Sequence, residues 1–91
     1  MASVIVTMTM MPDSPETDLK GLEDSATKLI SEFGGEVGKV DIQPVAFGLK
    51  SLALIFVMDE SIGSTEQLEK DVAALEGVAS AEITDVRRAL G

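Results

Sequence analysis

Val37-Gly38-Lys39-Val40-Asp41-Ile42-Gln43-Pro44-Val45-Ala46-Phe47-Gly48-Leu49-Lys50-Ser51-Leu52-Ala53-Leu54-Ile55-Phe56-Val57-Met58 is the stretch that decides how this chain folds. Residues 37–46 alternate, with Val40 and Ile42 on one face and Lys39, Asp41 and Gln43 on the other, as in a half-buried strand. Leu49 to Met58 is apolar on both faces beyond Ser51, the pattern of a strand near the centre of a sheet. Between them, Pro44 cannot donate to a ladder and places a bulge or a sheet edge there, while Gly48 suits a turn. The segment reads as a hairpin in the middle of the chain, with Phe47 at its tip.

Upstream, Ser3 to Met11 is rich in β-branched residues, and Val4, Val6, Met8 and Met10 share one face at period two. Pro12-Asp13-Ser14-Pro15 then turns the chain, and Thr17 and Asp18 are candidate N-caps. Leu19, Leu22, Ala26, Leu29, Ile30 and Phe33 recur at helical spacing, and Gly34-Gly35 supplies the left-handed stop. Downstream, Asp59-Glu60-Ser61-Ile62-Gly63 reads as a loop. Ser64-Thr65-Glu66-Gln67 fits a capping box, with the serine oxygen bonding the Gln67 N–H and the glutamine reaching back. Leu68, Val72 and Leu75 mark a second, shorter helix closed by Gly77. Val78 to Val86 is the last strand, with Ala79, Ala81 and Ile83 on one face and Glu82 and Thr84 on the other. Arg87 and Arg88 then trail off the end.

The order is β-α-β-β-α-β. A weak repeat supports it: Leu22 and Leu68, Ala26 and Val72, Leu29 and Leu75, and Val37 and Ile83 are all separated by the same 46 positions. Each half is one split β-α-β unit, and right-handed crossovers put both helices on one side of the sheet. The fold class is α+β: a ferredoxin-like sandwich with a four-stranded antiparallel sheet in the order 4-1-3-2 and two helices on one face. The opposite face is left open, and the outer side of the third strand needs a cover.

Composition excludes much chemistry. The 91 residues include no cysteine, histidine, asparagine, tryptophan or tyrosine. Disulfides, thiolate metal sites and both serine–histidine and cysteine–histidine catalysis are therefore impossible within the chain. Sixteen acidic against seven basic side chains give a net charge of −9, which repels a phosphate backbone and has two readings: charge that only keeps a small protein soluble, or a surface that suits a basic protein partner. Direct nucleic-acid binding is accordingly not expected. The longest apolar run, Leu52 to Met58, is far too short to span a bilayer, and the opening residues lack a signal peptide's positive segment. The chain is expected in the cytoplasm.

The carboxylates fall in no recognisable catalytic or calcium-loop spacing, so Asp59-Glu60 and Glu69-Lys70-Asp71 read as solvated charge. No bound cofactor or metal is expected. Two features stand out. Phe47, beside Gly48, has two readings: a side chain folded into the core at the hairpin end, or a rigid apolar anchor for a partner. Arg87-Arg88 is the only adjacent pair of cations in an acidic chain, read either as solvated charge or as a carboxylate or phosphate contact.

The chain resembles the archaeal elongation factor 1-beta family over nearly its whole length. The likeness lies in Met11-Pro12-Asp13-Ser14-Pro15 after the first strand and Pro44-Val45-Ala46-Phe47-Gly48-Leu49 at the hairpin. It continues in Leu75-Glu76-Gly77-Val78 and Thr84-Asp85-Val86-Arg87-Arg88 at the last strand. The resemblance implies a ferredoxin-like fold, as read above. It implies that residues 1–91 are one guanine-nucleotide exchange domain, without covalent chemistry of its own. Its partner would be the GTPase elongation factor 1-alpha, which itself binds GDP or GTP and magnesium.

By that resemblance the partner-binding residues are Pro44, Ala46, Phe47, Gly48 and Lys50 at the hairpin, with Arg87 and Arg88 near the end. Eukaryotic relatives place a lysine next to the C-terminus, near the magnesium site. Here Gly91 is last and no lysine follows Lys70, so Arg87 and Arg88 are the nearest cations. A rival of another class with the same element order is a small-molecule-sensing domain of the ACT type. It would bind an amino acid at a subunit interface and need no GTPase. Whether the open sheet face dimerises is not decided by the residues.

Overall fold

The computed structural model describes residues 3–45 and 48–88. Strand β1 (Ser3–Pro12) is followed by helix α1 (Leu19–Phe33), strands β2 (Glu36–Pro44) and β3 (Lys50–Asp59), helix α2 (Glu66–Ala73) and strand β4 (Val78–Arg88). A 3-10 turn, Glu60–Ile62, occupies what reads in the sequence as plain loop. The sheet is antiparallel with the order β2-β3-β1-β4, so β1 and β3 are central, as the ferredoxin-like reading requires. No helix among the described residues is long and apolar enough to cross a membrane.

The two central strands supply alternate residues to one core. Val6, Met8 and Met10 pair with Phe56, Leu54 and Leu52, and all six are buried against Leu22, Ala26 and Ile30 of α1 and Leu68 and Val72 of α2. The repeat positions Leu22 and Leu68, and Ala26 and Val72, occupy corresponding buried places on the two helices. On the other side of the sheet, Thr7, Thr9, Ala53 and Ile55 are only partly covered, and Val57 is 41% exposed. β3 is thus apolar on both sides although only one side carries helices.

Asp18 caps α1, its Oδ1 accepting from the Lys20 N–H at 3.1 Å, while the Thr17 hydroxyl donates to Asp13. Gly34 ends the helix at φ +110°, with its N–H shared between the Ile30 and Ser31 carbonyls. The capping box expected at α2 does not form. Ser64 Oγ accepts from the Glu66 N–H, Thr65 takes the N-cap position without a side-chain bond, and the Gln67 amide donates forward to Asp71.

Three bulges adjust the strands. Gly38 is the extra residue of β2 between Val37, opposite Phe56, and Lys39, opposite Ile55. The bulge lies there and not at Pro44, which instead ends an edge strand where a missing donor is tolerated. Thr84 is the extra residue of β4 between Ile83, opposite Met8, and Asp85, opposite Thr7; Ala79 is a third, near the start of that strand. Ala79 is consequently exposed instead of sharing the face of Ala81 and Ile83. Pro12 belongs to β1: it pairs with Val78 past the Ala79 bulge, beyond the last β3 partner of the strand, so its missing N–H breaks no ladder.

Candidate functional site

The hairpin between β2 and β3 is closed by backbone geometry. Pro44 pairs with Lys50, and the Val45 N–H donates to the Leu49 carbonyl at 2.8 Å. Gly48 stands at φ +76°, in the left-handed region that favours glycine, and among the described residues nothing lies within 4 Å of where a Cβ would be. Of the residues singled out at this end, Pro44, Gly48 and Lys50 are exposed, and Ala46 and Phe47 lie outside the described residues. A groove of about 360 Å³ runs from Gly48 and Lys50 to Pro12, Pro15 and Lys20, between the hairpin and the start of α1. Reading the sequence missed Lys20, because its nearness to Lys50 depends on the β1–α1 turn folding back beside the hairpin.

The two arginines are placed differently from the sequence reading. They are not on a trailing end: β4 runs through both, with Arg87 opposite Ile5 and Arg88 opposite Val4. Adjacent strand residues face opposite sides of a sheet, so the pair does not act as one cationic cluster. Arg87 lies on the open side, its Nε donating to Asp85 Oδ2 at 2.8 Å. Arg88 lies on the helix side, its Nη2 donating at 3.2 Å to Glu60 Oε2 on the 3-10 turn. Both ion pairs are mostly exposed, a setting in which such a pair contributes about 0–1 kcal/mol.

Beside Arg88 is a slot of about 440 Å³, with a floor of Val4, Val6, Met58 and Val86 and a rim that includes Glu60 and Glu66. Val86 is 57% exposed although the Thr84 bulge puts it on the helix side, opposite Val6. Asp59, between the slot residues Met58 and Glu60 in the chain, accepts from the Ser61 N–H at 2.9 Å. That bond, with a second from the Ser61 side chain, holds the Asp59 carboxyl below its ordinary value.

The hairpin and the arginines are at opposite ends of the sheet. Lys50 opens β3 at one end, whereas Arg88 pairs with Val4, which pairs with Met58 near the other. The structure therefore brings Lys50, Gly48 and Lys20 together and leaves Arg87 and Arg88 apart from them.

Comparison with known proteins gives this geometry a context. A family model described as the EF-1 guanine nucleotide exchange domain matches residues 5–89. A protein named elongation factor 1-beta from Methanothermobacter thermautotrophicus is 41% identical over 88 residues, covering 97% of this chain and 98% of its own. One of the same name from Staphylothermus marinus is 42% identical over 89 residues, covering 97% and 98%. Another, from Nanoarchaeum equitans, is 38% identical over 82 residues, covering 90% of this chain and all of its own.

Proposed function

The chain belongs to the family of EF-1 guanine nucleotide exchange domains, and on that premise we propose that it promotes release of GDP from elongation factor 1-alpha and its replacement by GTP. Residues 1–91 act as one exchange domain without covalent chemistry of their own. The protein binds the nucleotide-free GTPase more tightly than the loaded form, since equal affinity for both would shift nothing. Coupling is reciprocal, so rebinding of nucleotide expels the factor by the same free energy. A thousandfold faster release corresponds to about 4 kcal/mol of barrier lowering.

The observation that carries this reading is the two-ended layout on a rigid sheet. Eight steps along β3 separate Lys50 from Met58, a span of about 26 Å at the usual strand rise. Such a span lets one small protein hold a GTPase at one place and press on its nucleotide site at another. The hairpin residues Pro44, Ala46, Phe47, Gly48 and Lys50 form the holding end, with Phe47 as the apolar anchor. Arg87 and Arg88 form the other end, near the magnesium and phosphates bound by the partner. Among the described residues each arginine is tied only to an exposed carboxylate, so turning one toward a new anion costs little.

The test is release of a fluorescent GDP from elongation factor 1-alpha, with and without substoichiometric amounts of this protein. Acceleration supports exchange, and an unchanged rate with properly folded components ends the reading. Phe47→Ala is expected to lose most of the acceleration with the fold intact. Because Arg87 and Arg88 are ladder residues, their role is tested by substitution to alanine; truncation would also remove part of β4.

A further inference from the structure

The slot beside Val86 is an unfinished corner of the core. On the helix side of the sheet, the remaining inward positions of the central strands are covered by α1 and α2, but α2 begins only at Glu66. Past the Thr84 bulge, Val86 is turned to the same side and left 57% exposed, next to the half-buried Val4. An aliphatic floor bounded by a 3-10 turn and a helix start has room, at about 440 Å³, for one or two apolar side chains.

The charges that line it, among the described residues, are of one sign. Glu60 and Glu66 line the slot and no lysine or arginine does, although Arg88 reaches Glu60 from outside at 3.2 Å. The chain as a whole carries −9. A floor of this kind under two carboxylates is complementary to an aliphatic side chain flanked by a cation.

We propose that this slot, lined by Val4, Met58, Val86, Glu60 and Glu66, is a docking site for a basic segment of the GTPase that inserts an aliphatic side chain. The inference rests on the exchange function proposed above. The inserted side chain covers Val86, and its neighbouring cation takes Glu60 in exchange for Arg88. The exposed Arg88–Glu60 pair is weak enough to be replaced in this way. Docking at the slot thereby frees the Arg88 guanidinium at the end of the sheet proposed to face the nucleotide site.

The absence of cysteine permits a direct test. In Val86→Cys the new thiol is the only one in the chain, and Ala73→Cys, on exposed α2, serves as the control. Each variant is alkylated with N-ethylmaleimide, alone and with nucleotide-free elongation factor 1-alpha, and the labelled mass is read. The proposal requires at least tenfold slower labelling at position 86 in the complex, with position 73 unchanged. It also requires Val86→Asp to lower GDP-release acceleration at least tenfold at subsaturating protein, Glu66→Gln to lower it severalfold, and Val86→Leu to retain it.

A complex that forms and accelerates release while position 86 labels at its free rate overturns the slot and leaves the exchange function standing. Absence of any complex or acceleration removes both. Two other occupants are distinguishable without the GTPase. If the thiol at 86 is protected in the free protein and deleting residues 89–91 exposes it, the chain's own end fills the slot. If protection rises with protein concentration, a second copy does. Either result overturns the proposal.

Discussion

Lys50 and Arg88 stand at opposite ends of one sheet, Lys50 paired with Pro44 at the start of β3 and Arg88 paired with Val4 at the close of β4. Among the described residues they share no hydrogen-bond partner: Arg88 bonds Glu60, and no side-chain bond joins that pair to the hairpin. Residues so far apart contribute independently, usually within about 0.3–0.5 kcal/mol. Lys50→Ala and Arg88→Ala should therefore each slow stimulated GDP release, and the double variant should show the product of the two factors to within about twofold, the equivalent of that range. Stimulated release rates for the four proteins of the cycle decide it. A coupling above about 1 kcal/mol, or no effect at one end, would mean that the two ends do not act as separate contacts.

Thr84 sets which side Asp85 to Arg88 face. As the extra residue between Ile83 and Asp85, it lets Val86 fall opposite Val6 and Arg87 opposite Ile5. If Thr84 were instead paired in a regular strand, opposite Thr7, Val86 would turn to the open side and Arg87 toward the slot. Deleting Thr84 removes that extra residue and leaves Asp85 opposite Thr7 and Val86 opposite Val6, so it is expected to keep Val86 and Arg87 on their sides and to cost about 1 kcal/mol, the size of an ordinary substitution. Thr84→Val keeps the bulge and loses only the contact with Thr9 Oγ1 at 3.1 Å and the bond to the Thr7 carbonyl at 3.4 Å. That variant should cost no more than about 1 kcal/mol, the net worth of an ordinary hydrogen bond. Urea unfolding of the two variants gives the comparison, and a loss above about 3 kcal/mol on deletion would show that the strand does not keep its register without the extra residue.

The same residues show what a sequence reading reaches and where it stops. Leu22, Ala26, Ile30, Leu68 and Val72 are legible because helix periodicity and burial are the same fact seen twice. Gly38 and Thr84 are not, because a bulge is a mismatch between two strands and appears in neither alone. Yet they lie at the repeat spacing of 46 positions, each just after a residue opposite a fully buried central-strand side chain, Phe56 or Met8. The repeat thus holds deeper than its apolar residues indicate. Reading Arg87 and Arg88 as a trailing end failed for a related reason: charged residues look unsuited to a strand, but an edge strand with one open side carries them without burial. The box at Ser64–Gln67 failed because Ser64 accepts from Glu66, one residue too early, and Gln67 has a partner in Asp71.

Gly35 is where the first helix turns into the edge strand, and its lack of a side chain is a packing requirement. A Cβ there would lie 2.8 Å from Ile30 Cγ2 and 2.9 Å from Phe56 Cδ2, and both neighbours are fully buried. Overfilling a packed core costs about 1–3 kcal/mol, so Gly35→Ala is expected to lower the unfolding free energy by that amount. Gly48→Ala meets no neighbour among the described residues and is expected to carry the penalty of its left-handed backbone, about 1–2 kcal/mol. Replacing Phe56 by leucine separates the two causes: it should relieve part of the Gly35→Ala loss and leave the Gly48→Ala loss unchanged. Thermal unfolding of the single and double variants reads this out, and full additivity of Gly35→Ala with Phe56→Leu would deny the contact.

Asp59 gives the turn beneath the slot an acid dependence. Its carboxylate is stabilised by the Ser61 N–H at 2.9 Å and by the Ser61 side chain, and both bonds favour the charged form. A carboxyl whose value is lowered by folding stabilises the folded turn above the unfolded value, and that contribution is lost as pH falls through the folded one. The 3-10 turn should therefore hold at neutral pH and loosen only in acid below the ordinary aspartate range, taking Glu60 and its bond to Arg88 with it. Side-chain NMR titration is expected to place the Asp59 midpoint below that of aspartate in the unfolded chain. Ser61→Ala should raise it part of the way, since the backbone bond remains. A midpoint at or above the unfolded value would show that the Ser61 bonds do not hold the charged carboxylate, and the acid sensitivity of the slot would go with them.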